Sequence, residues 1–278
     1  MKMQKWLIKK KSEMEKDYIS LVLFTVLSQT AAGSLILREI LLHSAGNIRH
    51  STDFRVLSLL FTGIIIAFAI GTAFLHLGKQ STSVYTLRNL RNSWLSREIL
   101  FTIAFSLTVL LYWFNEKFLN LNSLSALLSL TGALSGAGLI ISMSAIYMLP
   151  AVPSWNSPLT PVSFVITAFT GGLSVLLLLN PGYGTSLQRI LMVILSFTIL
   201  LSLVSSVFMF ASVKETGILS VFLIRLATGL VALITIYLIY FKIIPNKIPA
   251  LTVLLTTVLL TEMAGRVIFF LNYHKSGL

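Results

Sequence analysis

Long uninterrupted runs of apolar residues are the feature that most limits the possible folds of this protein. An apolar stretch of about 20 residues crosses the hydrocarbon core of a bilayer as a helix. Eight such stretches follow one another, separated by turn-forming sequences such as NPGYG and IPNKIP. The sequence therefore predicts an all-α membrane protein, a bundle of eight transmembrane helices with both termini on the same side. The predicted spans cover residues 18–42, 56–75, 97–114, 122–148, 159–180, 188–212, 219–241 and 249–272.

Charged residues are few and lie mostly outside the apolar runs. They make up 11% of the 278 residues, against 56% hydrophobic residues, whereas a soluble domain is about a quarter charged. We predict a charged N-terminal arm over residues 1–17 and a single eight-helix transmembrane domain over residues 18–278. The net charge of +12 is expected to set topology and contact membrane lipid headgroups, not nucleic acid. Because no loop is long enough for a soluble domain, water-soluble chemistry is expected on a partner.

The sequence contains no cysteine, which limits the cofactors that the protein can hold by itself. An iron–sulfur cluster or a thiolate-bound haem needs cysteine ligands. A bis-histidine haem needs two facing imidazoles inside the bundle, but only His76 and His274 share a side, and both lie at helix ends. The sequence therefore predicts that this protein holds no haem and no metal.

Polar residues that could support chemistry gather on the side of the predicted bundle that holds the N-terminus. They are His76 at the end of span two, Glu98 at the start of span three, Tyr147 at the end of span four, Trp155 before span five, Arg225 at the opening of span seven and Arg266 towards the end of span eight. On the opposite side, Arg38, Glu39 and Glu116 have the pattern of ordinary interface and loop residues. We therefore expect polar chemistry on the N-terminal side.

His76 and Glu98 are the candidate catalytic residues. An imidazole at the end of an apolar helix titrates near physiological pH and can exchange protons with a lipid-soluble substrate. An acid in a membrane helix is costly and indicates function by default. The alternatives are a snorkelling or capping histidine, and a glutamate favoured by the helix dipole with Ser96 as the N-cap. Position alone leaves both interpretations open.

Two charged residues and one amide fall deep inside predicted spans. Glu262 and Arg266 are four residues apart, so they share one face of a helix and are predicted to form a structural ion pair. Gln29 lies near the middle of span one. Its amide can join neighbouring helices by hydrogen bonds or line a cavity.

Five sequence stretches follow one another along nearly the whole length of the protein. They are LVLFTVLSQTAAGSLIL, FLHLGK, WLSREIL, VPSWNSPLTPVSFVITAFTGG and TEMAGRVIFF. In order and spacing, this set resembles the membrane anchor subunit of the bacterial dimethyl sulfoxide reductase family of molybdoenzymes, which also has eight spans.

The resemblance implies a quinol-oxidising anchor subunit in the bacterial cytoplasmic (inner) membrane. Such a subunit binds menaquinol, releases its protons and passes its electrons to an iron–sulfur partner subunit during anaerobic respiration. Terminal reduction takes place on a molybdopterin catalytic subunit, so the anchor itself holds no catalytic metal. In the family, the histidine of the HLG motif and the glutamate that opens span three are implicated in the quinol site; here these are His76 and Glu98. The other predicted quinol-binding residues are Gln29, Arg88, Arg91, Tyr147 and Trp155.

A multi-pass transporter of small molecules or ions is the alternative function. It would require charges near the membrane midplane and broken helices in paired positions. Only Gln29, Glu262 and Arg266 lie at depth, and the sequence shows no clear internal repeat, so the anchor is favoured.

The orientation of the bundle stays open. Lysine and arginine are more numerous on the N-terminal side, which predicts a cytoplasmic N-terminus. The resemblance places that side outside the cytoplasm.

Overall fold

The computed structural model describes residues 2–44, 52–76, 87–179, 185–211, 218–244 and 247–272, without the side chains of residues 2–17, 75–76, 87, 185 and 209–211. All regular structure in these residues is helical. The elements are α1 (Lys2–Ser44), α2 (Thr52–His76), a 3-10 turn (Leu87–Asn89), α3 (Trp94–Phe114) continued by a π-helical turn (Asn115–Leu119), α4 (Asn122–Tyr147), α5 (Leu159–Leu179), α6 (Thr185–Ala211), α7 (Ile218–Tyr240) and α8 (Lys247–Leu271).

The predicted membrane fold is confirmed. Eight helices among the described residues are long and apolar enough to cross a membrane. Large apolar side chains such as Phe68, Leu107 and Phe197 are exposed on their outer faces, as expected for helices that contact lipid. The shared side of the two termini stays a prediction.

Two N-terminal helix boundaries differ from the predicted ones. Helix α1 begins at Lys2, so the backbone of the predicted arm continues directly into the first span. Helix α3 begins at Trp94, where the Ser93 hydroxyl accepts the backbone N–H of Ser96 at 3.3 Å. Ser93 is therefore the N-cap, and the assignment of Ser96 to that role is wrong. Because α3 starts earlier than predicted, Glu98 lies beyond its first turn.

Helices α1, α5 and α8 form the centre of the bundle, since they bury the largest share of their spans. One apolar cluster joins α1 to α2, α3, α4 and one half of α5 and α8, with Leu35, Phe105 and Leu139 fully buried. A second cluster joins the other halves of α5 and α8 to α6 and α7 around Leu176 and Leu254. The central helices therefore hold two groups of outer helices together.

Glycines allow α1 and α5 to cross in direct backbone contact. A Cβ atom added to Gly33 would overlap the carbonyl oxygen of Ala168. A Cβ added to Gly172 would lie 2.6 Å from the Gly33 carbonyl carbon and 2.7 Å from the Ser34 nitrogen. Helices in lipid associate by such close packing, because lipid offers no hydrophobic driving force between them. The α1–α5 crossing therefore depends on the missing side chains.

A buried polar network, here called the Arg38 network, joins the four N-terminal helices. Arg38 is fully buried, pairs with Glu39 and donates from Nε to the Ser58 hydroxyl at 2.8 Å. Glu39 also accepts hydrogen bonds from the Tyr112 hydroxyl at 3.3 Å and from Ser129 Oγ at 2.6 Å. The expectation that Arg38 and Glu39 are ordinary interface residues is wrong.

A second ion pair lies where α3 ends. Arg55 Nε donates to Glu116 Oε2 at 2.6 Å, and Ser125 Oγ donates to Glu116 Oε1 at 2.7 Å. Asn115 donates from Nδ2 to Ser125 Oγ at 2.8 Å. Glu116 is buried, so it too differs from the exposed loop residue that the sequence suggested. Each charge in the Arg55–Glu116 pair and in the Arg38 network has a partner. Both sets of contacts therefore hold neighbouring helices together.

Replacing Gly33 by alanine is expected to lower the melting temperature of the purified protein in detergent. The added Cβ would push α1 away from Ala168, and overpacking of this kind costs about 1–3 kcal/mol. Gly71→Ala in α2 is the matched control, because nothing lies within 4 Å of the added atom there. Equal melting temperatures for the two variants would contradict the close crossing.

Replacing Glu39 by alanine is expected to destabilise the bundle strongly. It leaves Arg38 buried without its carboxylate, a change that costs about 3–5 kcal/mol. Ile40→Ala is the control, since the neighbouring Ile40 is 51% exposed. Thermal unfolding of both variants is the measurement, and a Glu39→Ala protein as stable as Ile40→Ala would show that the ion pair is dispensable.

Candidate functional site

Five aromatic rings, here called the aromatic cluster, meet at one end of the bundle. The Tyr147 ring lies at the centre, with ring centroids 5.5 Å from Trp155, 5.8 Å from Phe164, 5.5 Å from Phe269 and 5.3 Å from Phe270. These residues come from the end of α4, the α4–α5 connection, the start of α5 and the end of α8. The cluster therefore joins elements that are distant in the sequence.

The α4–α5 connection is fastened to the end of α8. The Trp155 indole N–H donates to the Phe269 carbonyl at 2.8 Å, and its ring stacks on Phe269 with an interplanar angle of 13°. Ser154 Oγ donates to the Asn272 carbonyl at 2.5 Å. The indole N–H of Trp155 therefore has a partner inside the protein, so Trp155 offers a ligand its ring face more readily than this donor.

Glu98 lies beside the aromatic cluster with its side chain buried. The residue is 7% exposed, and no described side chain donates a hydrogen bond to its carboxylate. Its backbone carbonyl accepts from Thr102 Oγ1 at 2.7 Å. Tyr147 is close enough to interact with Glu98 electrostatically. A buried carboxylate is costly unless it is paired, so Glu98 is a poor candidate for a simple helix-capping residue.

His76 is the last residue of α2. Its side chain lies outside the described part of the protein, so the distance between its imidazole and Glu98 stays a prediction. Helix α2 packs against α3, which carries Glu98.

Arg88 and Arg91 lie on the surface just before α3, and both side chains are exposed. Arg97 fastens this segment to the helix: its Nε donates to the Leu90 carbonyl at 2.9 Å and its Nη2 to the Arg91 carbonyl at 2.7 Å. The Arg97 guanidinium also lies 4.1 Å from the Trp94 ring centroid. Exposure of Arg88 and Arg91 favours contact with a partner protein over contact with a ligand inside the bundle.

Glu262 and Arg266 meet through Thr167. Thr167 Oγ1 donates to Glu262 Oε2 at 2.7 Å and lies 3.5 Å from Arg266 Nη2. Ser202 Oγ donates to the other oxygen of Glu262 at 2.6 Å, and Arg266 Nη2 donates to Gln29 Oε1 at 2.8 Å. The two ion pairs found among the described side chains are elsewhere. The Thr167 hydroxyl therefore lies between the two side chains that the sequence predicts to be in direct contact. The structural role of Glu262 and Arg266 as a pair stays a prediction.

Gln29 and Arg266 connect this polar interior to the aromatic cluster. Gln29 is fully buried, and its Nε2 lies 3.8 Å from Met143 Sδ in α4. The Arg266 guanidinium lies 3.7 Å from the Phe164 ring centroid and 5.5 Å from that of Phe269. Gln29 thus links α1, α4 and α8, the interhelical role that the sequence left open beside quinol binding.

Arg225 is a buried residue for which the sequence suggested no specific role. It lies inside α7 and is almost fully buried, with Nη2 donating to the Ser202 carbonyl at 2.9 Å and to Ser202 Oγ at 2.6 Å. Its Nη1 lies so close to Gly265 of α8 that a Cβ there would overlap it. The usable signal was an arginine in the middle of the apolar run VFLIRLATGL.

The site thus has two zones, one at the end of the bundle and one inside it. Glu98 and the aromatic cluster form the outer zone. Arg225, Glu262 and Arg266 form the inner zone, here called the arginine cluster. Within the described residues, no group of three or more histidine, aspartate or glutamate side chains is placed to hold a metal ion.

Comparison with known proteins agrees with this architecture. A family model described as the DMSO reductase anchor subunit (DmsC) matches residues 14–271. The C subunit of the anaerobic dimethyl sulfoxide reductase of Haemophilus influenzae is 28% identical over 271 residues, which cover 91% of this protein and 93% of that subunit. The corresponding subunit of Escherichia coli K12 is 30% identical over 193 residues, 67% of each of the two proteins.

These matches confirm the resemblance seen in the sequence, and with the eight apolar helices they indicate a multi-pass membrane protein, in bacteria one of the inner membrane. They support a role as the membrane anchor of a dimethyl sulfoxide reductase complex. The protein belongs to the DMSO reductase anchor subunit family.

Proposed function

We propose that this protein oxidises menaquinol for a dimethyl sulfoxide reductase complex. The quinol enters the outer zone from the bilayer, and its two electrons pass to an iron–sulfur subunit and on to a molybdopterin catalytic subunit. Family membership supports the anchor role. The observation that supports quinol oxidation is Glu98, a buried carboxylate at the end of the bundle that no described side chain satisfies.

The main chemical contribution that quinol oxidation requires from the anchor is a set of proton acceptors. Removing two electrons from a quinol releases the two hydroxyl protons, and each needs a base within hydrogen-bond reach. In the proposal, His76 accepts one proton and Glu98 accepts or relays the other. Both then return their protons to the aqueous side, so the anchor ends each turnover unchanged while the electrons leave through the partner.

The aromatic cluster supplies the wall of the proposed headgroup pocket. Trp155 is only partly buried, so its ring is the one that we assign to stacking against a flat quinol ring. Tyr147 is buried at the centre of the cluster and supports the Trp155 ring. The Trp155 N–H is bound to the Phe269 carbonyl, so the proposed contact is through the ring. Gln29 is fully buried behind the cluster, and we assign it to support of the pocket through Arg266, in place of direct quinol contact.

Arg88 and Arg91 are proposed to dock the iron–sulfur subunit. They are exposed just before α3, close in sequence to Glu98, so a partner bound there would lie beside the outer zone. Long exposed cations steer and orient acidic partner surfaces. Such docking would place the electron acceptor near the quinol, which is the geometry that electron transfer needs.

Replacing Glu98 by glutamine or His76 by alanine is expected to lower menaquinol-dependent turnover of the purified complex by about 10²–10⁴-fold, the typical contribution of a positioned base. Reduction driven by an artificial dye that bypasses the anchor should stay at its wild-type rate. Asp53→Asn is the control, because it removes an exposed carboxylate at the start of α2. If quinol-linked turnover survives both changes, the assigned site is wrong.

Reversing both connector charges, with Arg88→Glu and Arg91→Glu together, is expected to release the catalytic subunits from membranes. The new acids would repel the partner surface that the arginines attract. Lys117→Glu is the matched control, since it reverses an exposed charge in the π-helical turn at the far end of α3. Membrane-bound reductase activity is the measurement, and retention equal to that of the control would exclude the docking role.

A further inference from the structure

A narrow cavity lies among α5, α6, α7 and α8. Its polar lining consists of four hydroxyl side chains and three charged ones, and the residues used below are Thr167, Ser202, Arg225, Glu262 and Arg266. The cavity has room for about one water-sized particle, so a quinol ring does not fit. The proposed quinol chemistry makes no use of this space.

The two guanidinium groups at the cavity have more N–H donors than the described residues there have acceptors for them. A guanidinium has five N–H groups, yet every hydrogen bond of Arg225 and Arg266 to a described residue leaves from Nη2. The Nε atoms of both arginines are buried without a partner in the described part of the protein. Buried donors that lack an acceptor are destabilising. An acceptor from outside the polypeptide would therefore stabilise the two Nε–H groups.

The carboxylate of Glu262 does not accept hydrogen bonds from these Nε–H groups. Its two oxygens already accept hydrogen bonds from Thr167 Oγ1 and Ser202 Oγ. It also supplies one negative charge against two positive charges in the cavity lining. One buried positive charge therefore stays uncompensated among the lining residues, and such a charge is strongly destabilising unless it is paired.

We propose that the cavity binds one small monovalent anion, chloride under ordinary conditions, between Arg225 and Arg266. An anion accepts the two unpartnered Nε–H donors and cancels the surplus charge, whereas a water molecule does only the first. The bound ion would hold α7 against α8, where Gly265 makes room for Arg225. It would also fix Arg266 beneath the rings of Phe164 and Phe269. The proposal does not depend on quinol oxidation.

Thermal stability in different anions tests the site on the purified complex. At constant pH and ionic strength, replacing gluconate by chloride in the buffer should raise the melting temperature of the anchor by about 2–4 °C, and the rise should saturate with chloride concentration. The reason is that a ligand that binds only the folded state stabilises it. Arg225→Met should lose this response, since it removes a donor and the surplus charge. Arg189→Met, at an exposed position on α6, should keep it.

Two outcomes of this comparison overturn the proposal. Equal melting temperatures of the wild-type complex in chloride and gluconate mean that the cavity holds only water. An equal chloride response in the wild type and Arg225→Met means that chloride acts elsewhere.

A second variant and a direct binding measurement cover the case in which Arg225→Met fails to fold. Glu262→Gln adds one unit of positive charge to the cavity and should shift half-saturation to lower chloride concentration; no shift, or the opposite shift, counts against the site. Equilibrium binding of radioactive chloride to the wild-type complex should saturate at one tightly held ion per anchor subunit. Absence of such an ion overturns the proposal.

Discussion

The backbone contact between α1 and α5 is the interaction on which the rest of the bundle depends. Gly33 and Gly172 let the two helices approach without side chains between them. This contact places Gln29 of α1 and Thr167 of α5 close enough to meet Arg266 of α8. The third central helix is therefore attached by polar groups at the point where the first two touch. The outer helices then cover this core with apolar side chains.

Charge inside the bundle is arranged in two different ways. In the Arg38 network, each charged group has a partner of opposite sign or several hydrogen bonds, which suits a structural fastener. In the arginine cluster and at Glu98, donors and a carboxylate lie buried without sufficient partners among the described residues. Incomplete pairing is costly in a low-dielectric interior. These are the places where an external ligand, proton or ion gives the most stabilisation.

The membrane fold followed directly from the sequence, because a run of about 20 apolar residues has few alternatives to a spanning helix. The end of the bundle that holds Glu98, Tyr147 and Trp155 was also predictable, since residues at consecutive helix ends must lie together. The hydrogen-bond partners of the buried polar side chains were not predictable. Thr167 stands between Glu262 and Arg266 because of how α5 and α8 are rotated against each other, and a single helix pattern contains no information on that rotation.

The same limit explains the errors. The side of the membrane on which a residue lies does not separate an exposed loop charge from a buried one. Arg38 and Glu116 are therefore buried where the sequence predicts ordinary interface and loop residues. Ser93 and Ser96 both suit the N-cap position of α3, and only the backbone conformation decides between them. The order of the spans predicts Arg225 at a helix end, whereas its apolar neighbours on both sides indicate the interior, where it lies.

Photoaffinity labelling of the complex with a quinone that bears a photoreactive group on its ring would locate the quinol site directly. We expect the label to attach to the start of α3, around Glu98, and to the segment from Tyr147 to Trp155, and we expect excess menaquinol to prevent the labelling. Labelling confined to lipid-facing positions such as Phe197, or to the Arg38 network at the other end of the bundle, would contradict this location.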